Sequence, residues 1–304
     1  MTTQSSSRVL TVAIVTPIDP ELVEPIRAVA DGIEVLYEPD LLPPVRYPGD
    51  HQGVQGFSRD GDAERRWQEL LGSAEVLFGL PGDSPVGLAA VVRDNPRLRW
   101  VQGTAAGTGE QVKAAGLTAE ELERVAVTSA SGVHVGPLAE FCLMGLLHFT
   151  KGVPRLRIDQ RAHHWDHYPV LELRGSTLLV LGLGAIGTEV ARLAKAFGVH
   201  TIGVNRRGVS DSPHVDEVYA SDRLHDVLAR VDAVVVTLPL TDETRGMLDA
   251  QALQQIKPGA ILINAGRGGV IDEPALVRGV LIAGQDLTDD RSALCLAADL
   301  DVAE

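Results

Sequence analysis

The feature that most constrains this chain is a glycine-rich turn that joins a strand-like segment to a helix-like one. Thr177–Leu181 is a short apolar run of the kind found in buried strands. After the turn, Val190, Leu193 and Ala194 recur at helical spacing, and Gly198 marks the end of that helix. A strand, a glycine turn and a helix in this order predict an α/β unit with a ligand site at the turn.

The glycines of this turn, Gly182, Gly184 and Gly187, form the pattern G-x-G-x-x-G. Gly182 permits a tight turn off the strand, Gly184 lets a pyrophosphate approach the backbone, and Gly187 lets the helix pack closely on the strand. Ala185 and Ile186 lie where free N–H groups at the positive end of the helix would face the phosphates. Because both flanking elements are present, a dinucleotide site is favoured over an ordinary glycine-rich turn.

Composition narrows the class of protein further. The chain has 304 residues, of which 45% are apolar, enough for two domains with separate cores. Its 27 basic and 41 acidic residues give a net charge of −14, which opposes binding to nucleic acid or to anionic membranes. The polar start and the absence of a membrane-length apolar run predict a cytoplasmic protein. Cys142 and Cys295 lack metal-ligand or disulfide spacing, so both are expected to be reduced, packed thiols.

The first part of the chain alternates strand-like and helix-like runs, which predicts an open parallel α/β sheet. The predicted strands are Leu10–Thr16, Glu75–Leu80, Leu98–Gln102 and Val125–Thr128, and the predicted helices are Glu21–Ala30, Ala63–Leu71, Val86–Arg93 and Glu120–Arg124. Residues 38–62 are rich in Pro, Gly and charge and are too long for an ordinary connection. They are interpreted either as a lid over a ligand or as a disordered surface insert.

The second part surrounds the glycine turn with further elements. A helix predicted from Pro137 to about Phe149 is interpreted as packing or dimer surface. Beyond the turn, the predicted strands are Thr201–Val204, Ala233–Leu238 and Ala260–Asn264, with helices near Asp222–Ala229 and Asp249–Ile256. This is the βαβαβ series that a dinucleotide domain requires.

The end of the second strand of such a unit discriminates between the two nicotinamide cofactors. An acidic residue there binds the ribose 2′-hydroxyl and repels a 2′-phosphate. In this chain Asn205 is neutral, and the guanidinium groups of Arg206 and Arg207 can clasp a 2′-phosphate. An Arg-Arg pair in a loop is also often plain solvated charge. Its place at the discriminating position favours NADPH over NADH, and Asn205→Asp is expected to shift the preference toward NADH.

A second informative stretch is an apolar run that ends at Asn264 and continues into a small-residue turn with one arginine, Arg267. The turn lies at the carboxyl end of a predicted strand, where open α/β sheets bind ligands. A forked, permanently charged donor beside the cofactor suits a small carboxylate with an adjacent carbonyl, because it holds the acid and polarises the carbonyl oxygen. The alternative is that Arg267 pairs with Asp272 or Glu273 and only fixes the turn.

Together, six stretches in this order resemble the D-isomer-specific 2-hydroxyacid dehydrogenases. They are residues 103–107, 131–140, 173–176, 182–187, 236–245 and 264–276. The resemblance implies two doubly wound parallel-sheet α/β domains, one flavodoxin-like and one Rossmann-like, with catalysis in a cleft between them. The substrate domain would be residues 1–128, the NAD(P)-binding domain residues 129–290, and an atypical tail residues 291–304. The nucleotide domain would form a homodimer.

The resemblance also implies roles for individual residues. Arg267 would bind substrate and act in catalysis, and backbone at Ala105, Ala106 and Gly107 would touch the substrate carboxylate. The cofactor pocket would include, besides the glycine turn and the Asn205–Arg207 loop, the residues Leu238, Pro239, Thr244, Asn264, Ala265 and Arg267. The Asn205–Arg207 pattern resembles the branch that reduces glyoxylate or hydroxypyruvate with NADP(H), and no metal is implied.

The chain departs from the family after the arginine. In the family a histidine protonates the carbonyl oxygen, and a glutamate holds its tautomer. No histidine follows His225 here, and Glu304, the only terminal candidate for the glutamate, comes early by the family's spacing. A shortened chain, a change of reading frame near Gly284 and a natural loss of the acid–base residues each account for this. The family's segment that completes the first domain likewise has no counterpart.

The histidines elsewhere offer no replacement by sequence. His163, His164 and His167 cluster around Trp165, but a solvated or packed role is favoured over a metal site because few carboxylates are near. Two functions therefore stay open. The first is an oxidoreductase that transfers a hydride between NAD(P)H and a small 2-oxo or 2-hydroxy acid. The alternative is a catalytically inactive NAD(P)-binding sensor or scaffold protein.

Overall fold

The computed structural model describes residues 9–282 and 295–297. The chain divides into two compact units, residues 1–131 and 132–304. The tail predicted to be atypical, including Glu304, lies outside the described residues except for 295–297.

The first unit contains a parallel sheet of five strands among the described residues. The strands are β1 (Leu10–Ile14), β2 (Ile33–Leu36), β3 (Val76–Phe78), β4 (Trp100–Gln102) and β5 (Ala126–Thr128). Their order in the sheet is β2-β1-β3-β4-β5. This 2-1-3-4-5 order is the flavodoxin-like one, in which the chain reverses direction across the sheet between β1 and β3.

Helices connect these strands, and local side chains set where the helices begin. The helices are α1 (Val23–Arg27), α2 (Gly61–Ser73), α3 (Pro85–Asp94), α4 (Thr108–Ala115) and α5 (Ala119–Arg124), with 3₁₀ turns at Pro20–Leu22, Pro39–Leu41 and Pro81–Asp83. Asp60 caps α2, and Ser84 caps α3 ahead of Pro85 at its first position. Thr118 and Glu121 form a reciprocal capping box on α5. The helix predicted over Glu21–Ala30 is shorter in the structure, where α1 covers only Val23–Arg27.

Residues 38–62 pack on the first unit and make defined contacts. Leu41 is fully buried in the core. The carboxylate of Asp50, only 1% exposed, accepts hydrogen bonds from Nε and Nη2 of Arg46, each at 2.8 Å. This hydrogen bonding holds the pKa of Asp50 well below its usual range. The interpretation of this segment as a disordered insert was therefore wrong, and its interpretation as a lid stays a prediction.

The second unit contains a parallel sheet of six strands among the described residues. The strands are β6 (Thr177–Leu181), β7 (His200–Asn205), β8 (Glu217–Ala220), β9 (Ala233–Val236), β10 (Ile261–Asn264) and β11 (Cys295–Ala297). Their order is β8-β7-β6-β9-β10-β11. Numbered within the unit, this is 3-2-1-4-5-6, the order of dinucleotide-binding sheets.

Helices cover both faces of the second sheet. They are α6 (Val135–Thr150), α7 (Val153–Arg161), α8 (Ala185–Ala196), α9 (His225–Leu228), α10 (Ala250–Gln255) and α11 (Glu273–Ile282), with 3₁₀ turns at Ser221–Arg223 and Gly268–Val270. Alternate residues of β6 enter two separate apolar clusters: Leu179 and Leu181 one, Leu178 and Val180 the other. The predicted class, two doubly wound parallel α/β domains, is confirmed. No helix in the described ranges is both long and apolar enough to cross a membrane.

Candidate nucleotide and acid site

The glycine turn after β6 has the geometry that its sequence predicts. Gly182 has a φ of +100°, a conformation that favours glycine. A Cβ on Gly187 would lie 1.9 Å from the carbonyl oxygen of Gly182, so only glycine lets α8 approach the turn this closely. The Thr237 hydroxyl donates to the same carbonyl at 2.8 Å. The turn is therefore fixed from the helix side and from the neighbouring strand.

The start of α8 is open for a ligand. Gly184 and Ala185 are exposed, and a Cβ on Gly184 would meet no atom within 4 Å. Gly184 is the N-cap residue, and no side chain caps this helix end. Ile186 is half-buried and packs against the apolar cluster below. Exposed amides at the positive end of a 12-residue helix fit a pyrophosphate, as the sequence pattern implies.

The turns that follow β6, β9 and β10 meet at one edge of the sheet around Leu238. A Cβ on Gly182 would lie 3.0 Å from Leu238 Cδ2, and one on Gly266 would lie 2.6 Å from the Leu238 carbonyl oxygen. The Ala265 amide donates to Val236 O at 2.9 Å. Because β6 and β9 flank the point where the strand order reverses, this edge is where doubly wound sheets bind ligands.

The loop after β9 is closed by a hydroxyl group. The Thr244 hydroxyl donates to Pro239 O at 2.6 Å and accepts from the Thr241 amide at 2.8 Å. Thr244, a predicted cofactor residue, thus holds the shape of the loop that contains Pro239. Threonine hydroxyls commonly bond to nearby backbone groups in turns.

The turn that carries Arg267 is fixed by a buried amide. Asn264 is 4% exposed; its Oδ1 accepts from the Gly266 amide at 2.9 Å and its Nδ2 donates to Arg267 O at 3.1 Å. The half-buried Arg267 side chain donates from Nη1 to Gly266 O at 3.2 Å. Asp272, one of the carboxylates considered as its partner, accepts from the Ala275 amide at 2.9 Å.

The predicted specificity loop follows β7. Asn205 Oδ1 accepts from the amides of Arg207 at 2.9 Å and Gly208 at 2.8 Å, and its Nδ2 donates to Val209 O at 2.7 Å. The side chains of Arg206 and Arg207 are exposed. Neither guanidinium group makes a hydrogen bond or ion pair with the residues that the structure describes. The sequence pattern predicts Asn205 at the cofactor but contains no signal that its amide closes the turn.

The predicted substrate segment lies at the carboxyl end of β4 in the first unit. Ala105 and Ala106 are exposed, and Gly107 precedes α4. The Thr108 hydroxyl donates to Ala105 O at 2.7 Å, and a Cβ on Gly103 would collide with that hydroxyl. The loop is therefore held in shape while its outer backbone stays accessible.

Other titratable groups make hydrogen bonds that stabilise the fold. Glu217 on β8 accepts from Arg230, Tyr219 and His200, and these hydrogen bonds lower its pKa to about 2. His163, His164 and His167 are exposed, and no group of metal-ligating side chains occurs within residues 9–282 and 295–297. None of these groups lies in the turns around Leu238.

A strand order that reverses at an exposed glycine turn defines the second unit as a nucleotide-binding α/β domain. Residues 143–284 match the family model described as the NAD binding domain of D-isomer specific 2-hydroxyacid dehydrogenases. The second unit is thus similar to the NAD binding domain of the D-isomer specific 2-hydroxyacid dehydrogenases, in agreement with the resemblance stated from the sequence.

Relatives and solved structures agree with this family. D-3-phosphoglycerate dehydrogenase of Mycobacterium bovis is 34% identical over 196 residues, 62% of this chain and 35% of that protein. A putative 2-hydroxyacid dehydrogenase of Haemophilus influenzae is 35% identical over 193 residues, 60% of this chain and 58% of that protein. The matches span 35% and 58% of the lengths of these two relatives. A crystal structure of a D-isomer specific 2-hydroxyacid dehydrogenase family protein from Aeromonas salmonicida is similar with a TM-score of 0.74 and 25% identity, covering 98% of this chain and 85% of that one.

Proposed function

We propose that the chain is an oxidoreductase of the D-2-hydroxyacid dehydrogenase type, which transfers a hydride between NAD(P)H and a small 2-oxo or 2-hydroxy acid. One observation carries the proposal: the glycine turn and the arginine turn both pack on Leu238. The exposed start of α8 and the turn that carries Arg267 thus lie at one edge of one sheet. That combination suits an anionic substrate held beside a dinucleotide.

Different residues at this edge are proposed to hold different parts of the cofactor and the substrate. Amides at 184–186 would hold the pyrophosphate, and the loops containing Pro239 and Ala265 would line the pocket beyond it. A bound nicotinamide nucleotide supplies or accepts the hydride. Arg267 holds the carboxylate and polarises the carbonyl oxygen, where negative charge develops as the hydride adds to the carbonyl carbon, and a proton from solvent completes the hydroxyl group. The Ala105–Gly107 loop is proposed to bind the carboxylate with its backbone.

NADP(H) is the proposed preferred cofactor. Asn205 brings no negative charge to the end of β7, and the exposed guanidinium groups of Arg206 and Arg207 suit a 2′-phosphate. Glyoxylate and hydroxypyruvate are the proposed substrates, because each is a small 2-oxo acid that one arginine can hold.

Turnover tests the activity directly. The full chain is mixed with NADPH and either glyoxylate or hydroxypyruvate, and cofactor oxidation is followed by absorbance. We expect sustained oxidation, and we expect Arg267→Gln to lower kcat by about 10²–10³-fold. Arg223→Gln, which removes an exposed arginine paired with Asp226, is the charge-matched control and should leave kcat unchanged.

Two results would contradict the proposal. Tight NADPH binding by the wild-type chain without any turnover would support the binding-protein alternative. Equal kcat values for wild type and Arg267→Gln would remove the assigned role of the arginine.

The assembly and location are also proposed. We propose a homodimer through the second unit, supported by the exposed apolar side chains of Met144, Leu156, Trp165 and Leu171, which are 50–85% accessible. The buried free thiol of Cys142 and the composition support a cytoplasmic location. Sedimentation equilibrium tests the dimer, and a monomer at micromolar concentration would refute it.

A further inference from the structure

All the hydrogen bonds described for the Asn205 side chain are to backbone groups of its own turn. Its oxygen accepts from the amides of Arg207 and Gly208, and its nitrogen donates to Val209 O. The turn is also backed by the end of β8, since a Cβ on Gly208, at a φ of +67°, would lie 2.9 Å from the Ala220 amide nitrogen. Residues 205–209 therefore form a closed loop with two arginines at its tip.

We propose that Asn205 is a positioning residue for cofactor specificity: it fixes the loop that presents Arg206 and Arg207 to a 2′-phosphate and makes no ribose contact itself. This inference rests on the proposed function, because it assumes that a nicotinamide dinucleotide binds at the glycine turn. It differs from the expectation that the residue at this position acts only by being neutral.

The hydrogen bonds explain why the loop depends on an amide. Because Asn205 Oδ1 occupies the amides of Arg207 and Gly208, these amides are not available to a phosphate, and recognition is left to the two guanidinium groups. Those side chains are long and exposed, so their placement depends on a fixed backbone. Only a side chain with both an acceptor and a donor makes all three bonds.

An aspartate at this position would alter the loop in a defined way. One carboxylate oxygen can still accept from the amides of Arg207 and Gly208. The other would face Val209 O, which now accepts from Nδ2 at 2.7 Å, and two acceptors repel at that distance. A carboxylate that stays bound to the turn in the rotamer of the asparagine directs its second oxygen at Val209 O, where it is not placed to accept from a ribose 2′-hydroxyl. Asn205→Asp should thus weaken NADPH binding without strengthening NADH binding.

An uncharged variant separates positioning from simple charge. Asn205→Ala removes all three hydrogen bonds and adds no negative charge. If Asn205 acts only by being neutral, the alanine variant binds NADPH as wild type does. If it positions the arginines, we expect the dissociation constant for NADPH to rise about tenfold and that for NADH to change less than about twofold. Asn205→Ser, which keeps one short acceptor, should fall between wild type and alanine.

The experiment measures both dissociation constants by reduced-nicotinamide fluorescence on the full chain. Ser210→Ala is the matched control, because it removes one backbone hydrogen bond, from the Ser212 amide, just beyond the turn, and it should change neither constant. Thermal unfolding by circular dichroism checks that each variant is folded, and Asn205→Ser decides the question if Asn205→Ala is not.

Each outcome has a meaning. Loss of NADPH affinity alone in Asn205→Ala, or in Asn205→Ser, supports the inference. Unchanged NADPH binding, equal losses for both cofactors, or a several-fold gain in NADH affinity in Asn205→Asp would overturn it. A wild-type chain that binds neither cofactor would refute the proposed function, and the inference with it.

Discussion

Gly187 is the position at which a single added methyl group should do the most damage to the nucleotide site. Its Cβ would lie 1.9 Å from Gly182 O, whereas real Cβ contacts shorter than 3.0 Å are essentially absent. The helix and the turn would have to separate by about 1.1 Å. The turn cannot yield freely, because Gly182 N donates to Val204 O and Gly182 O accepts from Thr237, both at 2.8 Å.

The free energy of unfolding should fall accordingly in Gly187→Ala. Overpacking costs about 1–3 kcal/mol, and at a contact between two backbones we take the upper part of that range. The higher helix propensity of alanine offsets less than about 1 kcal/mol, since Gly187 lies in the first turn of α8. The net loss is about 2 kcal/mol, or about 4–8 °C in Tm for a unit of this size.

Gly184→Ala is the matched control for this change. Its Cβ would meet no atom within 4 Å, so its stability should stay within about 0.5 kcal/mol of wild type. It should still weaken cofactor binding, because the methyl group would occupy the proposed position of the pyrophosphate. Thermal unfolding by far-UV circular dichroism measures stability, and fluorescence titration with NADPH measures affinity. A Gly187→Ala protein that unfolds at the wild-type temperature would refute the packing argument.

Two further predictions concern buried groups away from the site. Asp50→Asn should destabilise the first unit at pH 7, because the pKa of Asp50 is lowered by Arg46 and the charged pair is intact there. That contribution is lost as the pH falls from about 4 through the lowered pKa. The free energies of unfolding of the two proteins, measured in urea, should therefore converge below about pH 4. A difference that stays constant with pH would contradict this account. Cys142 should resist alkylation at pH 8 in the folded protein, because burial raises its pKa to about 12, and should react only in urea. Rapid labelling of the native thiol, read by mass spectrometry, would disprove the assignment of Cys142 to the core.

Local rules predicted the parts of the fold that short segments decide. The β6 strand has the predicted limits, Thr177 to Leu181, because an apolar run between a turn and a glycine has few alternatives. The positive φ of Gly182 and the close approach at Gly187 follow from the spacing of the glycines between a strand and a helix. The strand orders could not be read this way, since they depend on pairing between distant segments.

The sequence patterns did not predict the elements in which polar and apolar residues are mixed. The edge strand β8 contains Glu217 and Tyr219, whose polar groups bond to Arg230 and to each other, so it carries no apolar pattern. The helix α4 was also unpredicted, since only Thr108 among its residues is buried. At the candidate site, sequence reasoning named Asn205 but missed its hydrogen bonds, because turn closure by a side chain depends on backbone geometry that a residue type only permits.

The central place of β6 has a consequence for how the protein is made. Its two neighbours in the sheet are β7, which follows soon after, and β9, from which Thr237 reaches back across 55 positions to Gly182. A nascent chain that has left the ribosome only as far as β7 presents one flank of β6 as bare backbone, open to pairing with another chain. The edge around Leu238 is thus complete only after β9 and β10 have been made, and a ligand that needs the turns after both strands can stabilise this unit only from that point on.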